Sequence, residues 1–381
     1  MTAGGIDPSR LAIFLGTSGQ SGVDRAAINL IPALAGRGYA VDVLKVREHG
    51  PNLPSIPEGV RVIDLGQSHV YPCVFAVRRY LQKHRPAVLL SDKDRVNRTA
   101  HLAHRWAGRA QQTRHAIWVG TPISLEMAHR PIAKQRRFMQ RAQRFYPRFG
   151  TLMADSPGVR QDYIDHVGVE PAHIQVVPRP VIPAALFVAP PACPDHPWLQ
   201  TQRDVPVIVA VGELSDGKDY PTLLRAFAAA NRQRPARLLV IGKGKRLETL
   251  RSLCVELGIA DRVEFLGFRT DVYGFMAHAD LLAHASTREG LSFVLLEALA
   301  CGTPVAATDC PTGPSAVLQG GKFGPLVPVG DAEAMGAAML ATLESPLPAE
   351  KLQQAARPYE IEAAASAMLS TLGLPLQAAR A

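Results

Sequence analysis

Short, mostly apolar runs alternate along this chain with stretches whose apolar positions recur every three or four residues. In the first half the runs are LAIFLG, AVDVLKV, RVIDLG, AVLLSD and HAIWVG. Between the first two, Asp24 to Arg37 carries helical spacing, and Gly38 stops it. In the second half VPVIVAVG, ARLLVIGKG, RVEFLGF and ADLLAHAS read as strands, and YPTLLRAFAAANRQ and RLETLRSLCVELG as helices. Such apolar strands alternating with helices argue for a parallel sheet covered on both faces. The pattern occurs twice, so the expected class is α/β, with two Rossmann-like doubly wound domains. Residues 1–184 form the first, 185–203 a proline-rich linker, and 204–355 the second. Residues 356–381 form a terminal helical segment, with Pro358 placed to start or kink a helix, and it is expected to pack back toward the first domain. Ligands of such sheets bind beyond the carboxyl ends of the strands. Two facing domains would set these loops around one cleft.

One element breaks the pattern. TREGLSFVLLEALACGTPV carries Glu289 and, eight positions on, Glu297 inside the apolar run Phe293 to Cys301. Ser292 is placed to cap a helix over 293–300, which Gly302 and Pro304 end. A carboxylate buried there needs strong donors. A cis-diol such as the ribose hydroxyls supplies two in parallel, whereas a structural arginine is the plain alternative. Glu289, beside the helix start, is placed to take sugar hydroxyls, with a diphosphate at the helix N–H groups between the two.

The other strand-end loops speak more softly. GTSGQSG, with Gly16, Gly19 and Gly22, fits a phosphate-approaching turn or simply a flexible one, and lacks the Gly-Lys-Ser/Thr of a P-loop. GKG at 242–244 reads as a solvated basic turn. In SDKD, Asp92 and Asp94 have metal-ligand spacing, but Lys93 and Arg95 flank them, so a loop-structuring role is expected and a metal is not. His129 follows the strand HAIWVG and is a candidate for the cleft. Five scattered cysteines without metal spacing read as reduced core residues.

Charge adds an asymmetry. Residues 1–180 hold 25 Lys/Arg against 13 Asp/Glu, a net of +12, while the remainder carries −3. The first half therefore expects an anionic partner: nucleic acid, a phosphorylated substrate or a membrane surface. Aromatic stacking signatures and helix-turn-helix signals are absent, which argues against nucleic acid. The stretch 130–148 has seven Lys/Arg and no acid, with Phe138, Ala142 and Phe145 at helical spacing. It reads either as a membrane-surface helix or as a helix covering the sheet. Absence of a long apolar span and of a basic-then-apolar leader points to a cytoplasmic protein, at most peripheral on the membrane's inner face.

The second half resembles the retaining glycosyltransferases of family 4, which have the GT-B fold. The resemblance runs through VGELSDGKDYPTLLRAFA, LLVIGKG, LGIADRVEFLGFRTDVY, REGLSFVLLEALACGTPVAATDCPTGP and GKFGPLVPVGD. SGVDRAAINLIPALAGRGYAVDVL and SDKDRVNRTAHLA extend it more loosely into the first half. It implies that Glu289 contacts the donor hexose, Glu297 the ribose, and Lys218 the diphosphate. Gly290, Leu291 and Ser292 would offer backbone N–H groups, Gly267 and Phe268 would lie by the base, and Ser21 and Gly22 near the phosphate. His129 would stand for the family's first-domain histidine.

The chain departs from the family at Glu213, where arginine is usual, at Arg179, where asparagine is usual, and at Ser315-Ala316, where an Arg-Glu pair is common. A carboxylate at 213 would repel a diphosphate, so Lys243, Lys245 or Arg246 is expected to supply compensating charge. The implied reaction is retaining, metal-independent transfer from a nucleotide-diphosphate sugar, UDP by default, to a glycan or lipid-linked acceptor in cell-surface polysaccharide synthesis. No cofactor is implied beyond the donor. A GT-B sugar-nucleotide epimerase and a non-catalytic nucleotide-sugar or glycan-binding protein are the alternatives.

Overall fold

The computed structural model describes residues 6–17, 19, 21–108, 112–126, 131–200 and 203–376. His129 lies outside the described residues. The chain divides into two compact units, Met1–Val181 with Ile361–Ala381, and Ile182–Glu360.

The first unit is built on strands β1 (Asp7–Leu15), β2 (Ala40–Lys45), β3 (Val60–Asp64), β4 (Pro86–Asp92), β5 (Arg114–Val119), β6 (Leu152–Ala154) and β7 (Ile174–Val176). They pair in parallel in the order β3-β2-β1-β4-β5-β6-β7, so the strand order reverses beside β1. Its helices are α1 (Gly22–Gly36), α2 (Cys73–His84), α3 (Asp94–Ala107), α4 (Ile123–Glu126), α5 (Ile132–Phe145) and α6 (Pro157–Val167). One sheet face packs with α1, through Leu30, Ile31 and Leu34. Val77 and Leu81 of α2 and Ala100 and Ala103 of α3 cover part of the other face, and α5 and α6 cover a third cluster around Ile117 and Leu152.

The second unit repeats the plan. Strands β8 (Val207–Val211), β9 (Arg237–Ile241), β10 (Val263–Gly267), β11 (Leu281–His284), β12 (Val305–Thr308) and β13 (Leu326–Val327) run in the order β10-β9-β8-β11-β12-β13. The helices are α7 (Tyr220–Gln233), α8 (Leu247–Glu256), α9 (Val272–His278), α10 (Phe293–Ala300), α11 (Gly313–Val317), α12 (Ala332–Glu344) and α13 (Ala349–Ala356). Helix α14 (Ile361–Thr371) then leaves this unit for the first. Pro358 sits in a short 3-10 turn that separates α13 from α14, so the tail is two helices with a break.

Three local outcomes refine the reading from sequence. The proline-rich stretch 185–203 belongs to the second unit, where His278 bonds the Pro191 carbonyl at 2.9 Å and Arg203 bonds Asp280 at 3.2 Å. In α5 the stripe is spent on the sheet: Ala142 is buried, and Phe138 and Phe145 pack against the core. The stripe from Phe138 to Phe145 is therefore used on the core, while Ile132 in the first turn is 69% exposed and the rest of the outward face is basic. Among the cysteines, Cys73, Cys254 and Cys310 are buried as expected, but Cys193 is exposed.

Candidate active site

The second unit gathers the expected donor residues at the carboxyl ends of β8 and β11. After β8 the chain turns through Gly212 to Lys218. A side chain at Gly212 would meet the Lys218 stem at 3.3 Å, so glycine there lets the lysine lie across the strand end. The 215–218 turn is tied to the loop after β11 by the Thr287 N–H, which donates to the Gly217 carbonyl at 2.9 Å. This tether brings Lys218 against Glu289 across 71 residues, and the two form an ion pair through Lys218 Nζ and Glu289 Oε1.

Glu289 has further partners that sequence did not nominate. Ser286 donates to its Oε1 at 2.9 Å, and His284 Nε2 lies 3.4 Å from the same oxygen. Burial acts to raise the Glu289 carboxyl, but the His284 hydrogen bond and the Lys218 charge outweigh it and hold the group down at about 2. Burial lowers His284 from the ordinary histidine range, against the pull of Glu289. The loop itself is pinned from β12. Thr308 Oγ1 donates to the Ser286 carbonyl at 2.6 Å, and Thr312 Oγ1 to the Glu289 carbonyl at 2.7 Å. Gly313 packs so closely on Glu289 that a methyl group would stand 2.8 Å from the Glu289 Cβ.

Helix α10 spans 293–300, with Ser292 at the N-cap position. The Ser292 hydroxyl makes no cap hydrogen bond and lies instead 3.1 Å from His284 Nε2. The same ring nitrogen of the buried His284 thus lies against both Glu289 and Ser292, at the residues that lead into the helix. Gly290 is half-buried and Leu291 buried, in the turn between. Glu297 is 3% exposed, on a helix buried nearly all round, and accepts a hydrogen bond from the Tyr273 hydroxyl of α9 at 3.2 Å. The signal for His284 was visible: a histidine ending an apolar strand is as anomalous as Glu297 in its apolar helix.

The basic loop after β9 lies alongside. The Leu214 N–H donates to the Lys243 carbonyl at 2.9 Å, and Gly242 and Gly244 lie against the backbones of Gly212 and Leu214, leaving no room for a Cβ. These glycines serve loop-to-loop contact, which the reading as a solvated turn did not contain. Glu213 is exposed in the same turn. Arg246 pairs with Asp216 at 2.8 Å, and the Lys243 amine stands 5.8 Å from the ring centre of Phe268, itself 66% exposed beyond Gly267. Lys245 is exposed. A Cβ at Gly217 would lie 3.7 Å from the guanidinium of Arg288, an exposed cation beside Lys218 that the motif reading passed over.

The first unit places its expected residues separately. Ser21 caps α1 in a reciprocal capping box with Asp24, whose carboxylate accepts from the Ser21 N–H at 2.8 Å and also from Thr17. That helix start is therefore already occupied by the chain's own carboxylate, with Gly22 as its first residue. Arg179 is buried at the ends of β4 and β6, bonded to Asp92 at 2.7 Å and Asp155 at 2.6 Å, and stacked 4.3 Å from the Trp118 ring centre. Asp92 is thus committed to Arg179, and Asp94 to Arg98 at 2.5 Å. This is the structuring role expected of SDKD. Among the described residues no three His, Cys, Asp or Glu side chains come together as a metal cluster.

Comparison with known proteins bears on the family and the fold. The family model of glycosyl transferases group 1 matches residues 196–359, and that of glycosyltransferase family 4 matches 20–184. The chain is 34% identical to the lipopolysaccharide core biosynthesis glycosyltransferase LpsE of Rhizobium meliloti over 145 residues, which is 38% of this chain and 42% of that protein. It is 24% identical over 358 residues to a Campylobacter jejuni N-acetylgalactosaminyltransferase acting on a diphospho-undecaprenol-linked sugar, covering 91% of this chain and 92% of that one. Among solved structures, the outer-core galactosyltransferase WaaB superimposes with a TM-score of 0.74 at 17% identity, covering 96% of this chain and 99% of that one. Anabaena HepE in complex with UDP and glucose gives 0.74 at 18%, with the same coverage.

Proposed function

Because this chain belongs to the family-4 type of glycosyltransferases with the GT-B fold, we propose that it moves a hexose or N-acetylhexosamine from a nucleotide-diphosphate sugar to a glycan or lipid-linked acceptor. The setting is lipopolysaccharide or related surface-polysaccharide synthesis, and UDP is the favoured nucleotide. Support for the setting comes from relatives named for those steps, and for the nucleotide from a fold neighbour seen with UDP.

The observation that carries the reading is the Lys218–Glu289 pair at the strand ends of one sheet, with Glu297 buried on the helix that follows. In this pair cation and carboxylate neutralise each other. A diphosphate arriving at this point would compete for Lys218 and release Glu289 to accept sugar hydroxyls. Glu289 remains ionised throughout because His284 and Ser286 still hold it. Lys218, with the backbone N–H groups of 290–292, stabilises the charge that grows on the leaving phosphate, which is electrostatic preorganisation. In this reading Lys218 does the work that a divalent ion does in other transferases. Retention follows if the departing phosphate accepts the acceptor proton on the face it leaves.

The test is thermal-shift titration with UDP, GDP, ADP and CDP, followed by turnover of the matching nucleotide sugars. UDP is expected to raise the transition, and a UDP-sugar to be consumed. No shift with any nucleoside diphosphate would sink the reading. A shift with no turnover on a panel of lipid-linked and oligosaccharide acceptors would favour the binding-protein alternative, for which the exposed carboxylate of Glu213 is the one observation.

A further inference from the structure

Three groups crowd one oxygen of Glu289. Lys218 Nζ, Ser286 Oγ at 2.9 Å and His284 Nε2 at 3.4 Å all stand at Oε1, and among the described residues no hydrogen bond reaches Oε2. The chain behind the carboxylate is fixed as well, by Thr312 on the Glu289 carbonyl and by Gly313 against its Cβ. Glu289 therefore has one held oxygen and one open oxygen. Once a diphosphate draws Lys218 away, as in the function proposed above, only Ser286 and His284 are left to keep Oε1 in place.

His284 is 4% exposed, and its Nε2 also lies 3.1 Å from the hydroxyl of Ser292, itself 1% exposed. A neutral imidazole has one N–H and one bare nitrogen, and its neighbours choose between them. A bare Nε2 would aim its lone pair at an ionised carboxylate, which repels it. An N–H at the same place is attracted to the carboxylate and can be shared with the serine oxygen. The distances suit a shared proton, since 3.1 Å is an ordinary hydrogen bond and 3.4 Å a long one. A doubly protonated ring would add a buried cation beside Lys218, and burial lowers His284 from its ordinary range. Ser292 then accepts from the ring. Its own proton is spent neither on His284 nor on a cap of α10, and remains for a ligand at the start of that helix.

We infer that His284 is a positioning residue: with its proton on Nε2 it holds Glu289 by Oε1, presents Oε2 to the donor sugar and leaves the Ser292 hydroxyl free to donate. This rests on the proposed function for the identity of the ligand, but the proton on the ring can be read with no ligand present. It also accounts for a histidine at the end of a strand that otherwise reads Leu281, Leu282, Ala283. A leucine there would fill similar space and leave Oε1 to Ser286 and to a lysine for which the diphosphate competes.

The experiment begins on the full chain without nucleotide, in long-range proton–nitrogen correlation spectra of isotope-labelled histidine near neutral pH. The His284 ring is assigned by its loss in His284→Gln. Expected is a neutral ring protonated on Nε2, and a bare Nε2 or protons on both nitrogens would overturn the proposal. Two variants then read its role. His284→Leu keeps a similar volume and has no N–H, whereas His284→Gln carries a side-chain N–H. In the leucine variant turnover of the nucleotide sugar should fall at least about tenfold, in the range of one hydrogen bond to a charged group, while affinity for the free nucleoside diphosphate stays within about twofold. The glutamine variant should recover most of that loss. Equal losses in the two variants, or a matching loss of free-nucleotide affinity, would overturn the positioning role. Should the unaltered chain consume no nucleotide sugar, the transfer reading fails by itself and the Glu289 carboxyl decides here. By carbon NMR it should titrate at higher pH in the leucine variant than in the glutamine variant, and equal midpoints would again overturn the role. Should the leucine variant not fold, the ring spectrum of the unaltered chain decides alone.

Discussion

Glu297 and Glu289 share a motif but not an environment. Glu297 is held inside the unit and touched by Tyr273, whereas Glu289 is a partly open carboxylate on a lysine. Glu297→Gln keeps the shape and removes charge-assisted acceptance. It is expected to weaken UDP binding strongly with the fold intact, as calorimetric titration and melting would show. Glu289→Ala should leave free UDP bound at least as well, because Lys218 is released, while transfer falls by ~100-fold or more, in the range of losing one preorganised contact. Equal losses of UDP and UDP-sugar affinity in the Ala variant would contradict the split. Glu213 is exposed in the Lys218 turn, so reversing its charge can act on a diphosphate without repacking. Glu213→Arg should tighten nucleotide binding by opposite-charge attraction, yet need not raise turnover, because ground-state affinity alone does not lower the barrier. Unchanged UDP affinity would show that position 213 does not face the phosphates.

At the scale of elements, buried polar groups fasten the strand ends of the first unit. Arg179 ties β4 to β6, and replacing it with the asparagine usual in the family would strand two aspartates. Arg179→Asn should cost roughly 3–5 kcal/mol at neutral pH, the range for breaking a buried pair. Burial lifts Asp155 to about 6 even against the Arg179 charge. Denaturant melts should therefore show a smaller cost at pH 5 than at pH 7, because protonated Asp155 no longer needs the guanidinium. A second cluster acts on α3 and β5. Burial first, then the charges of Arg105, His104 and Arg148, push His101 down to about 4, and burial holds His115 far below its ordinary range. Between about 4 and the unfolded value near 6.5 the folded state binds fewer protons than the unfolded chain. The stability from these neutral rings is thus complete above about 6.5 and is lost as pH falls toward 4. His101→Phe, which cannot titrate, should flatten that slope, and a slope unchanged by it would assign the effect elsewhere.

Over the whole molecule, α14 completes a core begun more than three hundred residues earlier. Ala365, Met368, Leu369 and Leu372 lie in the cluster with Leu30 and Leu34 of α1, and Arg37 bonds Glu362 at 3.0 Å. Truncating buried leucine or methionine to alanine costs about 2–5 kcal/mol each, and a domain's total stability is about 5–15 kcal/mol. A chain ending at Glu360 should therefore lose the cooperative transition of the first unit. The second unit, whose own core is whole, should keep its transition and its UDP-induced shift. Two intact transitions by calorimetry would show that α14 is dispensable.

The chain's own pattern was enough for the α/β class, the doubled parallel sheet and most of the long elements, because strand and helix periods survive any tertiary arrangement. Helix α7 falls on YPTLLRAFAAANRQ, and α10 on the segment bounded by Ser292 and Cys301. The short strands β6, β7, β12 and β13, of two to four residues, carry no readable period and exist only because neighbouring strands pair with them. Glu289, Glu297 and Lys218 were legible as residues out of place or in a family motif. That Lys218 reaches Glu289 and that Arg179 draws Asp92 and Asp155 together were not, for these contacts span 24 to 87 residues. Sequence spacing is silent on such distances. They are decided where parallel strands end side by side and bury the same few polar groups in one place.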